Sequence, residues 1–162
     1  MSGPLPAIVS SFSLSYSFQE AAARALCNLA CDCQNMIAVA EGGAIHPLIL
    51  LLQSPSFSCC EAAAWALKNI ACYEENVKCI CDGNGIQGLV SLLSHHISSN
   101  LQEPVSAQHW RLIEAIVSAL GALTTTTENK YLIGHLGAID SIVQLIKEDT
   151  AERYCLLFLT CD

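Results

Sequence analysis

The feature that most constrains this chain is that it repeats itself. The segment EAAARALCNLA at residues 20–30 returns as EAAAWALKNIA at 61–71, identical at eight of eleven positions at an offset of 41. The same offset carries Asn35 onto Asn76, Gly42 onto Gly83, Ile45 onto Ile86 and Leu51-Leu52 onto Leu92-Leu93. A further offset of 53 carries Glu61 onto Glu114, Ala66-Leu67 onto Ala119-Leu120, Asn76 onto Asn129 and Ile86 onto Ile139. A period of this size belongs to stacked supersecondary units, each burying its apolar face against its neighbours.

Within a unit the spacing is helical. Ala63, Leu67, Ile70 and Ala71 form one apolar stripe, and Leu48, Leu51 and Leu52 begin another. Glycines at 42, 43, 83, 85 and 137 are expected to close a short preceding helix by supplying its left-handed residue. Pro47 suits a helix start, where a missing N–H is harmless. Each unit therefore reads as a short, a medium and a longer helix, and the chain as an all-α right-handed α-solenoid. The expected units are a partial repeat at 3–31, a repeat at 32–73, a repeat at 74–127 and a last one at 128–162, truncated in its third helix. The 12 extra residues of the third unit fall in a polar stretch with Pro104, expected to be an inserted loop at 95–109. Gly3–Val9 reads as a worn second helix and 151–162 as the start of a third, so the chain resembles a slice of a longer solenoid with bare ends prone to self-association or fraying.

Charge and composition exclude several function classes. Seven Lys and Arg stand against 15 Asp and Glu, a formal charge of −8, and the basic residues are scattered. No row of cations can neutralise phosphates, so neither nucleic acid nor an anionic membrane is an expected partner. The sign suits a basic or neutral protein. Apolar runs such as Ala44–Leu52 are too short to span a bilayer, and the N-terminus lacks a basic signal-peptide region. The chain is therefore expected in the cytoplasm or nucleus, its ten cysteines reduced and serving mainly as small buried hydrophobes. There is no CxxC pair, and a metal site from Cys31, Cys33 and Cys72 is the weaker alternative.

The pattern GGAIHPLILLLQS followed by CEAAAWALKNIAC resembles the armadillo repeat over almost the whole chain. That resemblance implies a non-enzymatic scaffold, needing no cofactor, that binds a protein or extended peptide along a concave groove lined by third helices. Trp65-Ala-Leu-Lys-Asn69 further resembles the Trp-x-x-x-Asn element of importin-α, which implies, as an alternative function, a receptor for basic nuclear-localisation peptides. There the Asn amide holds peptide backbone and Trp rings flank lysine stems, in keeping with amide hydrogen bonding and cation–π attraction. The first copy keeps Asn28 but has Arg24 in place of the Trp; the third, Val117-Ser-Ala-Leu-Gly121, keeps neither. Asp32, one turn beyond Asn28, is suited to a basic ligand, with Tyr73 and Thr125 taken as its equivalents. The candidate groove is thus Arg24, Asn28, Asp32, Trp65, Asn69 and Tyr73.

Other motifs weigh less. Gly83-Asn-Gly-Ile-Gln-Gly88 spells a dinucleotide fingerprint, but the aligned Gly42-Gly-Ala-Ile-His-Pro47 shares its turn and lacks its pattern. The five histidines are expected to be surface or capping residues, with no G-x-S-x-G nucleophile to serve. Trp65 suits packing between repeats as well as groove exposure. A mid-helix Asn69 needs a hydrogen-bond partner if buried. The run Thr124–Thr127 reads as a fraying helix end.

Overall fold

The computed structural model describes residues 16–99 and 106–147. The first units' expected helix at 3–9, the centre of the expected loop and the third helix beyond 150 lie outside the described residues. Eight helices follow in order: α1 Tyr16–Leu29, α2 Cys33–Glu41, α3 Ile45–Leu51, α4 Phe57–Ile70, α5 Glu74–Asp82, α6 Gly85–Ser99, α7 Ala107–Leu123 and α8 Thr127–His135. A further helix, α9, runs over 138–147. The period of the sequence is the period of the fold. Helices α1, α4 and α7 are third helices of successive units, α2, α5 and α8 first helices, and α3, α6 and α9 second helices.

The third helices form the spine. Helix α4 packs along α1 on one flank and α7 on the other, the two most extensive contacts among the described helices. Its alanines explain the closeness: Ala62, Ala63, Ala64 and Ala66 are all buried, together with Leu67 and Ile70. Small side chains let neighbouring axes approach, and a helix apolar on most sides must be covered on most sides. Leu67, only 1% exposed, lies at the centre of this core.

Turns repeat with the helices, with one correction. The left-handed positions are Gly43 (φ 77°), Asn84 (φ 63°) and Gly137 (φ 87°). The third unit places asparagine there, between Gly83 and Gly85, because an Asn side chain tolerates this region better than other non-glycine residues. Gly85 is needed for a different reason: a Cβ there would collide with the Ile80 side chain and carbonyl.

The asparagines shared by the units tie one to the next. Asn76 Nδ2 donates to Ile70 O at 3.2 Å and Met36 O at 3.3 Å, and Asn129 Nδ2 donates to Leu123 O at 2.9 Å. Each donates to a carbonyl at the C-terminus of the preceding third helix, where intrahelical i+4 donors run out, and Ile70 O shares its bond with the N–H of Tyr73 at 3.3 Å.

The third unit departs from expectation. Residues 95–99 are helical, the last turn of a 15-residue α6, and α7 is already helical at 107–109. Much of the expected loop at 95–109 thus lengthens two helices, whereas α3, the equivalent of α6, has 7 residues and is shorter than α2. Ser106 begins α7, its hydroxyl accepting from His109 N. The threonine run is a junction rather than a fraying end: Thr124 Oγ1 donates to Gly121 O at 2.7 Å, and Thr126 caps α8 by accepting from Asn129 N at 3.1 Å. Two histidines expected at the surface, His96 and His109, are buried at 8% and 5% exposure. His46 and His135 are exposed, the latter stacked on Tyr131.

Candidate functional site

The side-by-side third helices present matching rows. Residues four apart share a helix face, so α1 carries Glu20, Arg24 and Asn28, α4 carries Glu61, Trp65 and Asn69, and α7 carries Glu114, Ser118 and Ala122 in the same register, one residue beyond the Val117 and Gly121 expected from the sequence. All are exposed or half-buried. Arg24, Asn28 and Trp65 meet, with Cys27 and Ala62, around an open depression of about 130 Å³ between α1 and α4. Trp65 does both things its sequence allowed: it packs on the core and borders this depression.

Asn69 is committed inward. Its Nδ2 donates to Cys27 O at 3.0 Å and lies 3.4 Å from Cys27 Sγ and 3.3 Å from Cys31 Sγ. At the end of α1, the carbonyls of Leu26, Asn28 and Leu29 accept backbone N–H groups from Ala30, Cys31 and Asp32. Asn69 supplies a donor to the one between them, and Lys68 Nζ approaches its Oδ1 at 3.4 Å. Burial pushes the Cys27 thiol above its ordinary pKa, with neighbouring Cys31 adding to the effect. This thiol stays protonated and neutral beside the amide.

Asp32 and Tyr73 occupy a different place. Asp32 is the N-cap of α2, its Oδ1 accepting from Gln34 N at 2.9 Å and Asn35 N at 3.3 Å. Tyr73 caps α5 without a side-chain cap bond, and the equivalent residue in the next unit is Thr126, not Thr125. The Tyr73 phenol is raised above its usual pKa, first by its hydrogen bond to Glu75. Tyr73 borders a cleft of about 850 Å³ with Glu74, Glu75, Asp82, Glu128 and Asn129. The six candidates therefore divide: Arg24, Asn28 and Trp65 together, Asn69 bridging behind them, Asp32 and Tyr73 at helix starts.

Residues 33–72, from the first residue of α2 to just past α4, match the armadillo/beta-catenin-like repeat. The fold is an armadillo solenoid. Similar solved structures include an engineered protein (TM-score 0.76, 24% identity, 89% of this chain and 56% of that one). A designed armadillo repeat protein in complex with the peptide (KR)4 matches with TM-score 0.74 at 24% identity, over 88% of this chain and 56% of its own. Computationally designed armadillo repeat proteins for modular peptide recognition match with TM-score 0.72 at 23% identity, over 88% and 56%. This chain thus spans 56% of the length of these structures. No curated protein matches it.

Within the armadillo frame the residues missed in the sequence are Glu20, Glu61 and Glu114. Their shared register was visible, one carboxylate per third helix, but its placement on the row leading to Trp65 needed the stacked helices. Glu20 accepts from Arg24 Nε at 2.9 Å, so the arginine in the Trp position is already paired. Among the described residues no group of three His, Cys, Asp or Glu could hold a metal ion, and no helix is long and apolar enough to cross a membrane. The eight described cysteines are free thiols, but only Cys59 and Cys60 are buried and Cys31, Cys33, Cys72 and Cys79 are exposed, so most are not the small buried hydrophobes expected from the sequence.

Proposed function

We propose that this chain is a non-enzymatic interaction scaffold that binds an extended protein segment across α1, α4 and α7. The observation that carries the reading is the three-by-three register of Glu20–Arg24–Asn28, Glu61–Trp65–Asn69 and Glu114–Ser118–Ala122 on adjacent helices. A periodic surface suits a periodic ligand, and an extended chain is the simplest one. The carboxylate row and the net charge of −8 favour a basic segment, as does the (KR)4 peptide bound by the designed armadillo protein. We also propose a cytoplasmic or nuclear setting, which reduced cysteines suit.

The importin-α-like receptor for basic nuclear-localisation peptides is the second reading. Asn28, exposed beside Trp65, supports it. The engagement of Asn69 with Cys27 weighs against it, since that amide nitrogen serves the solenoid. The test is a titration of an extended Lys/Arg peptide and an Asp/Glu control of equal length, read by Trp65 fluorescence in a Trp110→Phe background. Saturable binding of the basic peptide alone, weakened about tenfold or more by Glu61→Gln with Glu114→Gln, is the expected result. Equal binding of both peptides, or of neither, overturns the reading of a basic partner on this face. Loss of binding on Asn28→Ala in that assay, and on Trp65→Ala measured by isothermal titration calorimetry, favours the importin-like form.

A further inference from the structure

Outside this face, the joint between α6 and α7 holds a cluster with no counterpart among the described residues of the other units. Four rings from three helices meet there: Phe57 from the start of α4, His95 and His96 from the last turn of α6, and His109 from the first turn of α7. Centroids lie 4.9 Å apart for His96–His109, 5.4 Å for His95–His96, 5.1 Å for Phe57–His96 and 6.0 Å for Phe57–His109. His96 and His109 are among the most buried polar residues described. Beside them an open cavity of about 490 Å³ is bordered by Leu52, Pro55, Phe57, Cys60, His95 and His96.

The equivalent positions of the preceding unit lack this arrangement, because α3 ends before its helix could reach so far. The lengthened α6 and α7 are what bring the imidazoles together.

We propose that this joint is a proton-operated latch, in which the neutral, packed rings of His96 and His109 fasten the first turns of α7 to α6 and α4, and acidification releases them. Two imidazolium ions 4.9 Å apart against a phenyl ring would repel and lose hydration. The helix start disfavours a cation at His109, since the first turn already carries positive partial charge. Burial opposes protonation of His96 first, and among the described residues His109 from α7 and His95 from its own helix oppose it further. From α4 the titratable neighbour on the cavity wall is Cys60, a thiol held neutral by burial, and Phe57 brings no charge. The connecting residues, which include Glu103, lie outside the described residues.

The sign follows from these surroundings. Burial lowers His96 to about 4, and lowers His109, whose ring also hydrogen-bonds the His96 backbone. The open joint therefore binds more protons than the closed one between those values and 6.5, and closure is lost as pH falls through that window. From His96 alone the opening equilibrium rises about twentyfold between pH 7 and pH 5.

The experiment is an NMR titration of the histidine rings in the whole chain, with amide hydrogen exchange along α7 at pH 7 and pH 5, corrected for intrinsic exchange. Expected are neutral-ring shifts for His96 at pH 5 in the closed state, and opening of the Trp110–Ile113 amides raised at least tenfold on acidification. The rise is expected to be confined to this joint relative to α1, and to shrink in His96→Phe. Protonation of His96 by pH 6 without change in exchange overturns the proposal, as does an undiminished pH effect in a folded His96→Phe. Should that variant not fold, His109→Gln and the wild-type titration decide in the same way. No partner peptide enters the measurement, so its outcome is independent of the binding proposal.

Discussion

Asn76→Ala tests how the units are joined. The residue is 5% exposed, and its Nδ2 holds two carbonyls at once, Ile70 O at 3.2 Å and Met36 O at 3.3 Å. Each bond contributes about 1 kcal/mol net, and the packing of the buried side chain is lost with them, while Ile70 O keeps the N–H of Tyr73 at 3.3 Å. We expect about 2–3 kcal/mol of destabilisation by urea unfolding, or a fall in Tm of roughly 5–10 °C for a chain of this length. The repeat supplies its own controls. Asn129→Ala removes one amide hydrogen bond, to Leu123 O, and is expected to lose about 1–2 kcal/mol. Asn35→Ala, at the same register but exposed, is expected to change stability by less than about 0.5 kcal/mol. Asn76→Asp is expected to be worse than Asn76→Ala, because it keeps the size and sets carboxylate oxygens against carbonyl oxygens. Equal effects at all three asparagines, or a harmless Asn76→Asp, would refute the idea that this amide links α5 back to α4 and α2.

Other outcomes follow from the same packing. Leu67→Ala, emptying a site only 1% exposed in the central helix, is expected to lose about 3–4 kcal/mol in the same urea assay. Gly43→Ala and Gly137→Ala are expected to lose about 1 kcal/mol each in thermal melts, although open space surrounds both, because the penalty is the left-handed backbone itself. Asn84→Gly, at the same register, is expected to be neutral within about 0.5 kcal/mol. Thiol labelling of the native chain is expected to modify exposed Cys31, Cys33, Cys72 and Cys79 first. Cys60, buried and raised to about 11, is expected to stay unlabelled until urea unfolds the chain, as mass spectrometry of its peptide can show.

The repeat made the architecture legible. An internal alignment shows which positions are equivalent before any coordinate is known, and helical spacing then assigns Leu67 and Ile70 to a buried stripe. What stayed hidden depends on contacts between units. The register of Asn76 and Asn129 was plain, but their carbonyl partners lie on other helices. The left-handed residue at Asn84 sat between two glycines that each suited the turn better by local rule. The lengthening of α6 defeated a polar, proline-containing stretch, because burial of His96 against Phe57 and His109 stabilises helix where composition suggests loop. For the candidate site, Arg24, Asn28 and Trp65 were named from the resemblance to importin-α carried across the repeat register, and the structure sets them around one depression. The inward turn of Asn69 was not, since an amide gives no sequence sign of which side it serves.

The central claim is that the face of α1, α4 and α7 receives an extended basic partner. Amide and indole chemical-shift mapping of the whole chain with a Lys/Arg peptide tests it most directly. The account predicts shifts that follow the rows: Arg24 and Asn28 on α1, Glu61 and the Trp65 indole on α4, Glu114 and Ser118 on α7, with exposed His46 on α3 unmoved. Saturable shifts centred on α2, α3 or α5 instead, with the Trp65 indole unchanged, would contradict it.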